Sequence, residues 1–169
     1  MIWVIGTGRC GTKSYAKWKG GVHEPKPSIR EDALEYYYKG KANDSLIDKL
    51  KDRMKYGLCS DNNQSLVIPP IVKVDKKAHF VWLVRKHVDC IESFLRRGGY
   101  NKYRETTKIT PKEGFLTEWG DLQKFTWYYW FLNGLIAQRL SETGASFEII
   151  NTEDIPIREN TSKENWLDR

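Results

Sequence analysis

The sequence predicts a three-layer α/β protein, in which helices cover both faces of a central, mainly parallel sheet. Strand-like and helix-like segments alternate along the chain, as they do where helices connect parallel strands. The segment His79–Val84 is an almost unbroken apolar run, which is typical of a strand buried on both faces of a parallel sheet.

Each predicted element has a local signal. Short apolar runs predict strands at residues 1–5, 22–24, 58–61, 79–84 and 147–150. Apolar residues three and four positions apart predict helices at residues 12–19, 28–39, 44–56, 88–97 and 121–143. Ser28 with Glu31 matches a capping box, and Asp44 is expected to cap the next helix. Residues 65–74 fit neither class, because Pro69-Pro70 interrupts any long helix.

The chain is expected to form one domain over residues 1–169, since this length can bury its own core. Residues 100–120 are polar and without a clear period, and we expect them to form a lid loop. Residues 156–169 are expected to be a loosely held tail.

Composition restricts the environment and the partners. No apolar run reaches the roughly 20 residues that a membrane span needs. The three cysteines lack metal-type spacing, which predicts unpaired thiols in a reducing cytoplasm and no metal site. The net charge of +6 indicates an anionic partner, either nucleic acid or a small anionic cofactor. We therefore expect a cytoplasmic protein with an anion-binding site.

The glycine-rich loop, defined as residues 6–14, is the clearest candidate for that site. It follows the first strand directly and contains three glycines, Arg9, Lys13 and three hydroxyl side chains. Glycines allow backbone N–H groups to turn inward, and the following helix offers its positive N-terminal end. This composition predicts a bound phosphate or sulfate rather than a turn without a ligand.

Two standard nucleotide motifs match this loop only in part. Gly6 and Gly11 have the spacing of a mononucleotide P-loop, but Thr12 intervenes before Lys13, which places the lysine one position late. Gly6, Gly8 and Gly11 match the dinucleotide pattern, but only Glu24 offers the acidic residue expected about twenty positions on.

A second anion site is predicted where the strand 79–84 ends. Arg85 lies at the carboxyl end of this strand, which is where open α/β sheets bind ligands. Ser93, Arg96 and Arg97 share one face of the following helix. Arg85 could instead form an ion pair with an acidic residue at 153–154. Two anion sites at two strand ends favour a nucleotide with phosphates at both ends.

These segments together resemble the sulfotransferases that use 3′-phosphoadenosine 5′-phosphosulfate (PAPS), in particular their bacterial branch. The resemblance covers residues 2–157. It is carried by GTGRCGT at residues 6–12, Arg85 with Ser93 eight residues later, RRGGY at 96–100, the aromatic segment 127–133 and the acidic turn 150–155. It implies a P-loop NTPase-like sulfotransferase fold.

The resemblance also implies a reaction and a set of ligand contacts. A sulfuryl group would pass from PAPS to a hydroxyl or amine of a small molecule or glycan by in-line displacement, leaving adenosine 3′,5′-bisphosphate and requiring no metal. Arg9 and Lys13 would stabilise the developing charge. The residues that would hold the nucleotide are Gly8, Arg9, Cys10, Gly11, Thr12, Lys13, Ser14, Arg85, Ser93 and Arg97.

A general base must accept the proton of the acceptor, and His23 and Glu24 are the candidates. Both follow the glycine-rich loop closely and are expected at the same rim of the sheet. A histidine titrates near neutrality, whereas a glutamate needs burial to raise its pKa. The family uses either residue type, and we favour Glu24.

Two alternative functions follow from the same loop. The first is a Mg²⁺-dependent nucleotide kinase or other phosphotransferase, which the late Lys13 and the lack of a convincing strand-terminal Asp disfavour. The second is a non-catalytic module that binds a nucleotide. A nucleic acid partner is not expected, because no recognition helix with clustered base-reading residues is apparent.

Overall fold

The computed structural model describes residues 1–100, 109 and 119–156. The predicted lid loop (100–120) and tail (156–169) therefore lie almost entirely outside the described residues.

Five parallel strands form the central sheet, which confirms the predicted α/β class. The strands are β1 (Ile2–Gly6), β2 (Val22–His23), β3 (Leu58–Ser60), β4 (His79–Val84) and β5 (Ser146–Asn151). Their spatial order is β2-β3-β1-β4-β5, and every neighbouring pair is parallel. Because all the strands run the same way, their carboxyl ends meet at one edge of the sheet. The glycine-rich loop leaves the central strand at that edge.

Six α-helices are described, and they connect or flank the strands. They are α1 (Thr12–Lys19), α2 (Arg30–Lys39), α3 (Asp44–Arg53), α4 (Ile68–Val74), α5 (His87–Leu95) and α6 (Asp121–Thr143). Short 3₁₀ turns lie at Met54–Tyr56, Asn62–Leu66 and Thr152–Asp154. The segment that the sequence left ambiguous is thus a 3₁₀ turn followed by α4, which accepts two prolines because they lie in its first turn.

Two predicted helix caps are wrong. Asn43, not Asp44, caps α3, because its side chain accepts the N–H of Leu46 at 2.7 Å. The capping box at Ser28 does not form: α2 begins at Arg30, one residue late for that box, and the Ser28 hydroxyl accepts the N–H of Arg30 at 3.2 Å. In both cases one residue of register decides which side chain reaches the first turn.

The two faces of the sheet are covered unequally. Trp3, Ile5 and Phe80 on one face pack with α2 to α6 in the larger apolar cluster. Val4 and Val81 on the other face belong to a smaller cluster to which α1 contributes. Full burial of each such side chain stabilises the fold by about 1.5–3 kcal/mol. The loop between β1 and α1 is therefore held by packed elements at both of its ends.

Within the described residues, no helix is both long and apolar enough to cross a membrane.

Candidate functional site

The backbone of the glycine-rich loop has a conformation that opens it toward a ligand. Gly8, Arg9 and Gly11 all have positive φ angles, of 80°, 55° and 84°. At Gly11 the close approach of another segment also requires glycine, because a Cβ there would lie 2.8 Å from Cγ2 of Thr152. Left-handed residues within a turn are among the backbone conformations that form anion-binding concavities.

Two successive carbonyl groups of the loop accept hydrogen bonds from side chains that directly follow β4 and β5. Arg85 donates to the Arg9 carbonyl at 3.2 Å, and Thr152 donates to the Cys10 carbonyl at 2.7 Å. In a trans peptide the N–H group points opposite to the C=O group of the same unit. The N–H groups of Cys10 and Gly11 are therefore directed away from these partners.

Helix α1 adds its positive N-terminal end to these N–H groups. Its N-cap is Gly11, and no side chain caps the helix. The N–H groups of Thr12 and Ser14 in the first turn have no acceptor inside the helix, because the ladder begins with Tyr15 bonding to Gly11. An oxyanion of a phosphate or sulfate group can satisfy such donors.

The structure brings three of the predicted side chains together at this loop. Arg9 donates through Nε to the Ser93 hydroxyl at 3.0 Å, and Arg85 reaches the Arg9 carbonyl. Arg9 and Arg85 are half-buried, and Ser93 is 8% exposed. The two predicted anion sites are thus adjacent parts of one cationic surface.

Arg85 does not use the acidic alternative that the sequence offered. Arg85, His87 and Tyr129 line a cleft of about 460 Å³ together with Glu153 and Asp154. Within the described residues, the guanidinium of Arg85 bonds to the loop carbonyl and not to either carboxylate. Tyr129 holds the backbone of Arg85, because its hydroxyl donates a hydrogen bond to the Arg85 carbonyl at 2.7 Å.

The other predicted nucleotide contacts lie further out. Lys13 and Ser14 are exposed in the first turn of α1. Lys13 is the second residue of the helix, so it occupies the position of the hydroxyl residue in a mononucleotide P-loop. Arg97 is exposed beyond the end of α5 and is not among the described side chains that contact the loop.

The two candidate bases are held differently. His23 places Nδ1 at 2.9 Å from the Ser60 hydroxyl, which in turn donates to the Thr12 carbonyl at 3.0 Å. His23 is thereby linked to the start of α1. The side chain of Glu24 is 59% exposed, and its carboxylate lies 3.6 Å from Nε2 of His23. Of the two candidates, His23 is therefore the one that hydrogen bonds connect to the start of α1.

The thiols near the loop are neutral. Cys10, Cys59 and Cys90 are free and buried, as the sequence predicted for unpaired cysteines. Burial, with a smaller contribution from Cys90, raises the pKa of Cys10 to about 12. Burial also raises the pKa of Cys90 to about 11. Neutral thiols do not repel an anion, so Cys10 serves the loop through its backbone and its packing.

Sequence reasoning missed Asp61, which directly follows β3 beside the glycine-rich loop. Its carboxylate forms an ion pair with Arg53 at 3.0 Å, and both side chains are 2% exposed. Its other oxygen accepts the backbone and side-chain N–H groups of Asn63 at 2.9 and 2.8 Å. The strand predicted at residues 58–61 ends in Asp61, and this position was the sequence signal for a strand-terminal carboxylate. Both of its oxygens are, however, occupied by protein groups.

Comparison with known proteins identifies the fold. The chain is similar to the YorR protein of Bacillus subtilis, solved in complex with phosphorylated GDP, with a TM-score of 0.51 and 13% identity over 91% of this chain and 87% of that one. It is also similar to deoxyadenosine kinase of M. mycoides with bound dCTP, with a TM-score of 0.46 and 13% identity over 90% and 91% of the two chains. At these identities the YorR likeness shows the fold alone, which is a P-loop-like α/β fold.

No protein-family model matches the sequence. No curated protein matches it either.

Proposed function

We propose that the glycine-rich loop binds the phosphate groups of a nucleotide and that the chain transfers the terminal group of this nucleotide to an acceptor. The observation that carries the proposal is the orientation of the loop. Arg85 and Thr152 hold two carbonyls back, no side chain caps the start of α1, so its first N–H groups have no acceptor within the helix, and Arg9 lies in the same loop. YorR, which shares this fold, was solved with phosphorylated GDP, and this supports a phosphorylated nucleotide as the ligand.

For the transferred group we propose sulfuryl, with PAPS as the donor. Three features support this choice: Arg85 and Ser93 both reach the loop, Lys13 is displaced from the P-loop position, and Asp61 is occupied by Arg53. PAPS would supply an activated sulfuryl group whose transfer needs in-line placement and charge stabilisation. The acceptor would be a hydroxyl or amine of a small molecule or glycan.

The residues of the chain would then have the following roles in sulfuryl transfer. The N–H groups of the loop and of the first turn of α1 would hold the 5′-phosphate, and Arg9 would stabilise the charge that develops on the leaving oxygen. Arg85 and Ser93 would bind the 3′-phosphate. His23 would take the proton of the acceptor.

A Mg²⁺-dependent nucleotide phosphotransferase is the second candidate, and the comparisons give it more support than they give sulfuryl transfer. The similar fold was solved with a guanine nucleotide, not with an adenosine bisphosphate. Asp61 also lies at the end of the strand next to β1, where P-loop enzymes hold their magnesium ligand. Against this candidate, Mg²⁺ would have to displace Arg53 from a buried ion pair.

Calorimetric titration separates these candidates. We expect adenosine 3′,5′-bisphosphate to bind without metal, and Arg85→Ala to weaken this binding by about 10- to 100-fold, the value of one or two charged hydrogen bonds. Arg96→Ala is the matched control, since Arg96 is exposed and pairs with Glu92. Its affinity should be that of the wild type.

The other outcomes of the titration overturn sulfuryl transfer. Tighter binding of ATP or GTP that requires Mg²⁺ would favour the phosphotransferase. Binding of no nucleotide at all would contradict both enzymes and the nucleotide-binding module.

Transfer itself is tested with radiolabelled PAPS and a panel of hydroxyl and amine acceptors. Among the two candidate bases, His23→Gln should reduce the turnover by about 100-fold or more, whereas Glu24→Gln should reduce it less. A larger loss in Glu24→Gln would make Glu24 the base, as the sequence alone favoured.

A further inference from the structure

The Ser60 hydroxyl has two neighbours whose chemistry fixes the direction of its proton. Ser60 is the last residue of β3 and is fully buried. Its oxygen lies 3.0 Å from the Thr12 carbonyl and 2.9 Å from Nδ1 of His23. A carbonyl oxygen can only accept a hydrogen bond, so the single proton of the hydroxyl belongs to the contact with Thr12.

The contact with His23 must then run the other way. The Ser60 oxygen can accept a second hydrogen bond, and Nδ1 can donate it only when it carries a proton. In the neutral imidazole the other nitrogen, Nε2, is then unprotonated and basic. Nε2 faces the carboxylate of Glu24 at 3.6 Å, which can stabilise the positive charge after Nε2 takes up a proton.

A second histidine in the same sheet has similar neighbours, but within the described residues it lacks the hydroxyl-to-carbonyl hydrogen bond that fixes the proton of Ser60. His79 has Nδ1 at 2.9 Å from the Ser146 hydroxyl and Nε2 at 3.6 Å from the carboxylate of Glu148, which are the distances found around His23. Within the described residues, however, the Ser146 hydroxyl makes no hydrogen bond to a carbonyl. Its proton is free to point at His79, so neither tautomer of His79 is imposed.

We propose that Ser60 is a positioning residue that holds His23 in the Nδ1–H tautomer and so presents Nε2 as the base. This inference rests on the proposed function for its catalytic meaning. When the acceptor oxygen bonds to sulfur and the sulfur–oxygen bond to the adenosine phosphate breaks, the acceptor proton passes to Nε2. The imidazolium then carries both protons, with Nδ1–H still donated to Ser60 and the new Nε2–H directed toward Glu24.

Long-range ¹H–¹⁵N NMR of the histidine-labelled protein tests the tautomer without an activity measurement. For the neutral imidazole of His23, observed in spectra recorded at alkaline pH, we expect protonated Nδ1 and unprotonated Nε2. Ser60→Ala should shift His23 toward the Nε2–H form, and Ser60→Thr, which keeps the hydroxyl, should not. His79 should be unaffected by both changes, and His23→Gln and His79→Gln assign the signals.

The matched control is Ser146→Ala, which removes the corresponding hydroxyl beside His79 and should leave the His23 signals unchanged. A wild-type spectrum with His23 protonated at Nε2 overturns the inference, even if Ser60→Ala fails to fold. An Nδ1–H form that survives in folded Ser60→Ala overturns it as well.

Kinetics then separate this inference from the proposed function. Ser60→Ala should lower kcat for sulfuryl transfer by about tenfold or more, a part of the factor that a positioned base supplies, with KM for PAPS unchanged. If no acceptor takes sulfate from PAPS in any variant, the proposed function fails and the base role of His23 fails with it. The spectrum would still decide how Ser60 orients the imidazole. If transfer occurs and kcat of Ser60→Ala equals that of the wild type, the positioning role alone is overturned.

Discussion

The Thr152 hydroxyl links the glycine-rich loop to the end of β4, and Thr152→Val tests what this link contributes. The hydroxyl oxygen lies 2.7 Å from the Cys10 carbonyl and 3.2 Å from the Val84 carbonyl. A hydroxyl has a single proton and donates to one carbonyl at a time. Thr152→Val therefore removes one strong hydrogen bond, not two. Valine keeps the shape of the side chain and its methyl group beside Gly11.

The expected loss of stability follows from the removal of one hydrogen bond. One intramolecular hydrogen bond contributes about 0.5–1.5 kcal/mol, and a carbonyl left without a partner adds to the loss. Thr152 is half-buried, so water can replace part of the bond. We expect a loss of about 1–2 kcal/mol in the free energy of unfolding and a decrease of about 3–6 °C in Tm for a chain of this size. The affinity for adenosine 3′,5′-bisphosphate should fall by about five- to tenfold, because a released Cys10 carbonyl can turn toward the anion.

Thermal melting and calorimetry of the same preparations measure both effects. Thr126→Val is the matched control, since the Thr126 hydroxyl donates to the Leu122 carbonyl at 2.8 Å on an exposed part of α6. That variant should bind the bisphosphate like the wild type. If Thr152→Val binds as tightly as Thr126→Val, the proposal that tied carbonyls orient the loop is refuted.

Three further outcomes follow from buried groups. Asp61→Asn leaves Arg53 buried without its charge partner, so urea unfolding should show a loss of about 3–5 kcal/mol, and a loss below 1 kcal/mol would contradict the pairing. Near pH 8, iodoacetamide should not label Cys10 until the protein unfolds, since its pKa of about 12 leaves almost no thiolate; rapid labelling of the native protein would show that the thiol is accessible. Burial raises the pKa of Asp75, but hydrogen bonds led by that from the Trp3 indole outweigh it and lower the pKa overall. Ionised Asp75 therefore stabilises the fold above the ordinary Asp pKa of about 3.9 and loses this effect as pH falls through the lowered value, so melts from about pH 7 to about pH 3 should flatten in Asp75→Asn.

Local signals were sufficient for most of the fold. The apolar run of β4 and the glycines after the helices are properties of neighbouring residues, so the class of fold and the order of its elements could be predicted. Cap positions failed because they depend on one residue of register, as at Asn43 and Asp44. Tertiary contacts fix that register, and short-range patterns do not contain them.

The site was predictable only where its residues carry their own chemistry. Arg9, Arg85 and Ser93, which the structure brings together, could be proposed from the sequence because a cation in a glycine-rich loop, a cation at a strand end and a hydroxyl on the following helix are informative without a structure. Ser60 and Thr152 were missed because a single hydroxyl has many ordinary roles. Their importance comes from contacts with Thr12 and Cys10, which lie 48 and 142 positions away along the chain.

The two strands beside β1 give the loop opposite electrostatic surroundings. β4 delivers the cation Arg85 to the loop, whereas β3 delivers the carboxylate of Asp61, which would repel an anion if it were unpaired. Arg53 pairs with Asp61 in a buried ion pair, so Asp61 offsets the positive charge of Arg9 and Arg85 at the loop less than a free carboxylate would. A phosphotransferase needs the reverse arrangement, with that carboxylate available to a cation that bridges phosphates. Our proposal of metal-independent transfer of a less charged group rests on this charge balance around β1.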